Sequence, residues 1–349
     1  MTCTKNDSYS AEEVRVYLND VLVASVCLVT SLVSLFVNGV VTVGLLKLKL
    51  LRNQFTYLCL SSACADCGVL TVFLLWVVPV TMGRAERLAG SLLGRKVGQL
   101  SLFFWFASLY SMLAISVNRL IAVVKFTSYE RYFSPRNTTI LILSIWVLAG
   151  AHTLLYFAPS CDFVYDPLWY LWYYTEGPCN NLTVFMDLGY GIFVITVLFT
   201  LNLITACNIR RKNKKVQTAP VQMVRSSDRK RRRDKEISFF VQACINAAVY
   251  ILMLLSFHVL SRFLTDKNWL FVATSWIWQF SHGTNGFILF CFNRELRNGL
   301  VFWGFRLSER AHTVRPPQDT CLHGRGVKAR VARGREIELF KLHNIQQSQ

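Results

Sequence analysis

Seven apolar runs, each long enough to cross a lipid bilayer, constrain this chain more than any motif in it. They lie at about 22–46, 55–81, 97–124, 139–158, 185–209, 237–260 and 269–292. A span needs roughly 20 residues of helix. Hydrocarbon offers no partner to a peptide group, so the backbone must close its own hydrogen bonds, which favours helices over an open sheet. Polar residues mark the ends: Lys47, Lys49 and Arg52 after the first run, Gly83, Arg84 and Glu86 after the second, Pro159 after the fourth, and Arg210, Arg211 and Lys212 after the fifth. Only 17% of the residues are charged, against about a quarter in a soluble domain. The expected fold is all-α, a seven-transmembrane helix bundle.

The net charge of +18 is unevenly spread. Thirty of the 38 Lys and Arg residues fall after the first, third and fifth runs, in the tail, or at Arg119. Basic residues stay cytosolic, because crossing is unfavourable and the inner leaflet is anionic. The N-terminus is therefore expected outside and the C-terminus inside, an alternation that only an odd number of spans allows. With no groove-reading motif or aromatic interleaving, the charge points to membrane lipids and not to nucleic acid. The organisation expected is an extracellular N-terminus over 1–21 with no basic signal-peptide start, a membrane domain over 22–298 with a basic cytoplasmic loop at 210–236, and a cytoplasmic tail over 299–349. That tail mixes Arg, Gly, Pro and Gln and is expected to be largely disordered. On this topology the sequons at Asn6 and Asn181 face outside, where glycosylation is possible, and the one at Asn137 faces inside.

Most cysteines lie within apolar runs and read as small core hydrophobes. Cys161 and Cys179 sit instead in the polar, aromatic loop 160–182. In an oxidising exterior a bridge between them is expected, worth about 3 kcal/mol for a loop of this size; two free thiols are the alternative. Enzyme motifs are absent from the sequence, including His-Glu-x-x-His, Gly-x-Ser-x-Gly and the phosphate-binding loops. The ionisable residues at membrane depth, Asp66, His152, Asp187, His258 and His282, read as scattered among spans. No cofactor is expected. The last run holds no lysine, which excludes a retinal Schiff base there.

Several stretches carry a resemblance. They are Asn38-Gly39 in the first run, LRNQFTYLCLSSACAD ending at Asp66 in the second, FASLYSMLAISVNRLIAV with Asn118-Arg119 in the third, Trp146 in the fourth, and HGTNGFILFCFNRELR with Asn285-Gly286 in the seventh. In this order they resemble the rhodopsin-like G protein-coupled receptors, and more closely the nematode serpentine chemoreceptors of class x. Departures from the wider superfamily include Asn118 for the acid before Arg119 and Leu120 for the tyrosine after it, Gly286 and Leu289 for a proline and a tyrosine in the seventh run, and Gly94 for the cysteine that usually opens the third span; the fifth and sixth runs hold no proline. The resemblance implies a plasma-membrane receptor with an extracellular ligand, small or peptidic, and a heterotrimeric G protein as partner. It also implies that Arg119 contacts that protein; a snorkelling arginine that sets helix depth is the alternative. Other readings are a seven-span transporter, which would show internal repeats or broken helices, and a receptor-like homologue that does not signal.

Within that frame Asn38, Asp66 and Asn285 are expected to share a polar cluster, with waters or a sodium ion, since an unpaired carboxylate in an apolar helix costs several kcal/mol. A fixed structural network is the alternative. The run Trp169-Tyr170-Leu171-Trp172-Tyr173-Tyr174 suits a lid over an apolar pocket or an interfacial aromatic belt. Candidate ligand contacts are Trp105, Tyr110, Trp172, Trp276, Gln279 and His282. A helical wheel puts Gln279, His282 and Gly286 on one face, and His282 fits an interhelical hydrogen bond equally well.

Overall fold

A computed structural model of the chain describes residues 11–47, 54–158, 161–175, 177, 179–217, 226–292 and 296–299. Asn6, Pro159 and nearly all of the tail 299–349 lie outside these residues. Helix α1 is Ala11–Lys47 and so continues through the stretch 11–21. Helix α2 begins as Gln54–Val72 and passes through a π turn at Phe73–Val77 into Val78–Met82. Helices α3 and α4 are Leu92–Val124 and Pro135–Thr153. Helix α5 begins at Asn180–Val184, passes a π turn at Phe185–Gly189 and continues as Tyr190–Gln217, while α6 is Ser226–His258. Helix α7 begins at Lys267–Phe271, passes a third π turn at Val272–Trp276 and ends as Ile277–Phe292. The basic segment 210–236 is thus mostly helical, extending α5 and α6, in keeping with the good helix propensity of Lys and Arg.

Local chemistry sets the ends. The Ser91 hydroxyl accepts from the Gly94 amide at 3.4 Å, and Ser134 accepts from Asn137 at 3.2 Å with Pro135 in the first turn. The Asp266 carboxylate accepts from Asn268 and Trp269 at 2.9 and 3.1 Å. These are N-caps, each satisfying amides that have no partner inside the helix. The π turn in α2 sits ahead of Pro79, whose ring and missing N–H disturb a regular α-turn.

Helix α3 is central and touches α2, α4, α5 and α6, while α7 closes the ring between α6 and α1. Trp146 of α4 donates to Ser61 of α2 at 3.1 Å. The outward faces stay apolar: Phe36 and Val147 are 72% and 70% exposed, with Leu143, Phe193, Phe199 and Leu203 alongside. Rows of this kind are what lipid covers. Among the described residues six helices are long and apolar enough to cross a membrane, and α7 is not one of them. Its hydropathy is lowered by Gln279, His282 and Asn285, and the first two are buried against other helices. The seventh span is polar because its polar groups point inward.

Between α4 and α5 the chain folds into a hairpin, β1 (Phe163–Asp166) antiparallel to β2 (Leu171–Tyr174), pairing Phe163 with Tyr174 and Tyr165 with Trp172. Asp166 makes the turn by accepting from the Leu168 and Trp169 amides. Cys161 and Cys179 are joined beside it with their Cα atoms 5.2 Å apart. Unlike an ordinary surface loop, the hairpin is buried: Phe163, Val164, Tyr165, Tyr170 and Trp172 are each 3% exposed or less.

Candidate ligand and signalling sites

The hairpin is held by four helices. A β-carbon at Gly98 would overlap the Phe163 carbonyl oxygen, so β1 lies directly on the backbone of α3 because that position is glycine. Arg95 and Asp162 pair at 3.3 Å beside this contact. Thr81 of α2 bonds the Tyr165 hydroxyl at 2.8 Å. The Tyr170 hydroxyl donates to Asp20 of α1 and accepts from Asn19 at 3.1 Å and from Lys267 of α7 at 3.0 Å. Burial first, and the bond to Asp20 second, push the Tyr170 phenol above its ordinary range. It therefore stays protonated and keeps donating to Asp20.

Beneath the hairpin lies a cavity walled by Leu102 and Trp105 of α3, Phe163 of β1, Met253, Leu254, Phe257 and His258 of α6, Trp278 of α7, and Asp187. Asp187 belongs to the π turn of α5, and such turns often re-aim a functional side chain. Its carboxylate accepts from the Tyr174 hydroxyl and lies 3.2 Å from His258 Nε2. Asp187 and His258, scattered in the sequence, are thus a pair in space. The only signal available beforehand was that each is ionisable at membrane depth. Trp172 stacks on Phe163 at 5.2 Å and meets Trp278 edge-on at 5.8 Å, so it backs the wall.

The structure separates the other sequence candidates. Tyr110 bonds His152 Nδ1 at 2.8 Å, between α3 and α4. Trp276 donates to Thr30 of α1 at 3.3 Å, and Gln279 donates to Cys27 O and Ser31 Oγ at 2.8 and 2.6 Å. A helical wheel gives the phase between residues and not which neighbour a face meets. Here the polar face of α7 meets α1 and α2, and Trp278 is the tryptophan that reaches the cavity.

Below the cavity, Asp66 is 1% exposed. Its Oδ1 accepts from Ser108 and lies against His282 Nδ1, both at 2.7 Å, while its Oδ2 accepts from Asn285 at 2.6 Å. Asn285 also bonds Ser62 at 2.9 Å and accepts from Asn246 of α6 at 2.8 Å. Asn38 stands one layer away, donating to Ser34 O at 3.0 Å and His282 O at 3.4 Å. A β-carbon at Gly286 would strike the Asn38 side chain, so glycine there lets α1 and α7 touch. Both Asp66 oxygens are engaged by side chains of other helices. Ser62, Ser108 and Asn246 carry no signal in the sequence, because a lone Ser or Asn in an apolar run makes no pattern.

At the other end of the bundle Arg119 is 4% exposed, its guanidinium 3.2 Å from the Phe55 ring centroid. Asn118 donates to the Tyr129 hydroxyl at 2.9 Å. The Lys212 ammonium bonds the Val123 carbonyl at the end of α3. A second cavity lies between this layer and the Asp66 cluster, lined in part by Phe55, Met112, Gln242, Asn246 and Asn285. Asn181 is exposed, in the helical turn Asn180–Val184.

Comparison with known proteins adds the family. A model of the serpentine type 7TM GPCR chemoreceptor Srx matches residues 28–293. Serpentine receptor class X 45 of Caenorhabditis elegans is 28% identical over 303 residues, covering 83% of this chain and 83% of that protein. Melatonin receptor type 1B-B of Danio rerio is 23% identical over 299 residues, covering 80% of each. The crystal structure of squid rhodopsin superposes with a TM-score of 0.63 at 13% identity, covering 86% of this chain and 93% of that one. That likeness speaks for the fold alone. A family match running from α1 to the end of α7 means that this multi-pass membrane protein is a receptor and not an enzyme, and that it belongs to the Srx family of serpentine seven-transmembrane G protein-coupled receptors.

Proposed function

We propose that the chain is a chemosensory receptor of the plasma membrane. Its hairpin end faces outside, binds a small molecule in the cavity under the hairpin, and biases a two-state bundle toward binding a heterotrimeric G protein at the Arg119 end. One observation carries the reading: the helices that wall the cavity also hold the polar cluster below it. Helix α7 brings Trp278 to the cavity and His282 and Asn285 to Asp66, and α6 brings His258 to the cavity and Asn246 to Asn285. A ligand that shifts α6 against α7 therefore pulls on the Asn246–Asn285 bond. Both helices reach the inner end, where Gln242 and Asn285 line the second cavity. Relatives named for melatonin and for dopamine support a small ligand over a peptide.

The test co-expresses the chain with each class of G protein alpha subunit, with tags on both termini. The expected result is cue-dependent nucleotide exchange that Arg119→Ala abolishes, with the N-terminal tag labelled on intact cells and the C-terminal tag only after permeabilisation. Solute flux without a G protein, or both tags on one side, would overturn the proposal.

A further inference from the structure

We infer that the cavity under the hairpin is built for a small organic cation, a protonated or quaternary amine that also carries a hydrogen-bond acceptor. The inference rests on the reading that this cavity is the ligand site, and it names the ligand's chemistry. Four aromatic side chains line the space, Trp105, Phe163, Phe257 and Trp278, and they come from four different elements. Ring faces are negative and attract cations, most strongly when water is excluded. The one acidic group in the wall is Asp187, which is 5% exposed, and no Lys or Arg lines the space.

The hydrogen-bond inventory gives the second argument. Tyr174 and His258 both reach Oδ2 of Asp187, so Oδ1 takes part in neither contact. The indole Nε1 of Trp105, on the same wall, is buried without a partner. Buried polar atoms in folded proteins are nearly always satisfied, so an unused indole N–H beside a cavity marks where a ligand supplies the missing partner. A carboxylate oxygen calls for a cationic donor, and an indole N–H calls for an acceptor such as a hydroxyl or carbonyl. A carboxylic acid ligand fits poorly, because it would face Asp187 while His258 is already engaged there. A hydrocarbon ligand would leave the Trp105 N–H bare.

The test measures binding without signalling, by thermal unfolding of the purified full chain in detergent. The probes are phenethylamine, its N,N,N-trimethyl derivative and 2-amino-1-phenylethanol, against 2-phenylethanol and phenylacetate. The amines are expected to raise the melting temperature in a saturable way, the alcohol and acid to have little effect, and the amino alcohol to be strongest. Asp187→Asn should weaken the amines at least tenfold. Trp105→Phe, which keeps a ring and removes the N–H, should narrow the gap between amino alcohol and amine, and it serves as the second variant if Asp187→Asn does not fold. Stabilisation by the acid or alcohol equal to that by the amines, no stabilisation by any amine, or full amine binding by Asp187→Asn would each overturn the inference. Amine binding without nucleotide exchange would sink the signalling proposal and spare this one, whereas exchange driven by acids or alcohols would do the reverse.

Discussion

The two ends of the bundle are held together in different ways. At the hairpin end, backbone rests on backbone at Gly98, a disulfide closes the loop, and one hydroxyl, that of Tyr170, joins three partners from α1 and α7. At the Arg119 end the contacts seen among the described residues each join one pair of helices: a guanidinium over the Phe55 ring, Ser238 bonded to Phe292 O at 3.0 Å, and Lys212 bonded to Val123 O. Interlocked contacts have to break together, whereas single ones exchange at low cost. The contrast suits a receptor whose outer end stays put while its inner end has two arrangements. An outer end that proves the softer one would overturn this contrast.

The hardest blow to the outer end should be Gly98→Leu. The side chain would occupy the space of the Phe163 carbonyl, and overpacking against backbone costs about 3 kcal/mol. Loss of most folded protein at the cell surface is expected, read by flow cytometry of a tagged chain; normal expression would mean that the hairpin is not seated on α3. Next comes Tyr170→Phe, which removes the donor to Asp20 and the acceptor for Asn19 and Lys267. Hydrogen bonds to charged groups are worth about 1.5–3 kcal/mol, so the melting temperature should fall by several degrees even though Asp20 keeps Arg84 and Asn19 keeps Asn268. Because the phenol's range is raised, the wild-type contact should persist at pH 9 and above, where an ordinary tyrosine begins to ionise. The Tyr170→Phe deficit should therefore be equal at pH 7 and pH 9.

The inner end calls for the opposite kind of result. Phe55→Leu keeps an apolar side chain and removes the ring beneath Arg119. A cation–π contact of this kind is worth about 1–2 kcal/mol, and if it holds the resting arrangement its loss raises the active fraction roughly 5- to 30-fold. Basal nucleotide exchange should rise while the melting temperature barely moves. A large drop in melting temperature with no rise in basal activity would make Phe55 a structural contact only. The missing acid before Arg119 sharpens the point, since Asn118 turns to Tyr129 and the arginine rests on a ring.

Much of the fold was legible in the sequence because lipid imposes long apolar runs, and the Lys and Arg clusters divide them. What lay beyond reading has physical reasons. The π turn at Phe185–Gly189 breaks the helical phase just where Asp187 sits, so its meeting with His258 could not be inferred from spacing. The polar face of α7 is readable as a face, but its partner is not, and so the sequence points to Trp276 as a ligand contact where the structure has Trp278. Asp66 and Asn285 could be placed at one depth from their positions in their runs; their direct bond depends on how α2 and α7 are rotated. The hairpin's aromatic run could have been a lid or a belt, since burial comes from the helices around it.

The smallest effect is expected from the most visible contact. Arg95 and Asp162 form the one ion pair between α3 and the hairpin segment among the described residues, and Gly94 stands where the superfamily usually has a bridging cysteine. Yet the Arg95 side chain is 49% exposed, and exposed ion pairs contribute about 0–1 kcal/mol, screened further by salt. If the hairpin is seated by backbone packing at Gly98, Arg95→Ala should shift the melting temperature by no more than a few degrees, and raising the salt should erase even that. A loss comparable to Gly98→Leu would mean that charge holds the hairpin. The rigid outer end would then be an electrostatic one, which loosens wherever ionic strength is high.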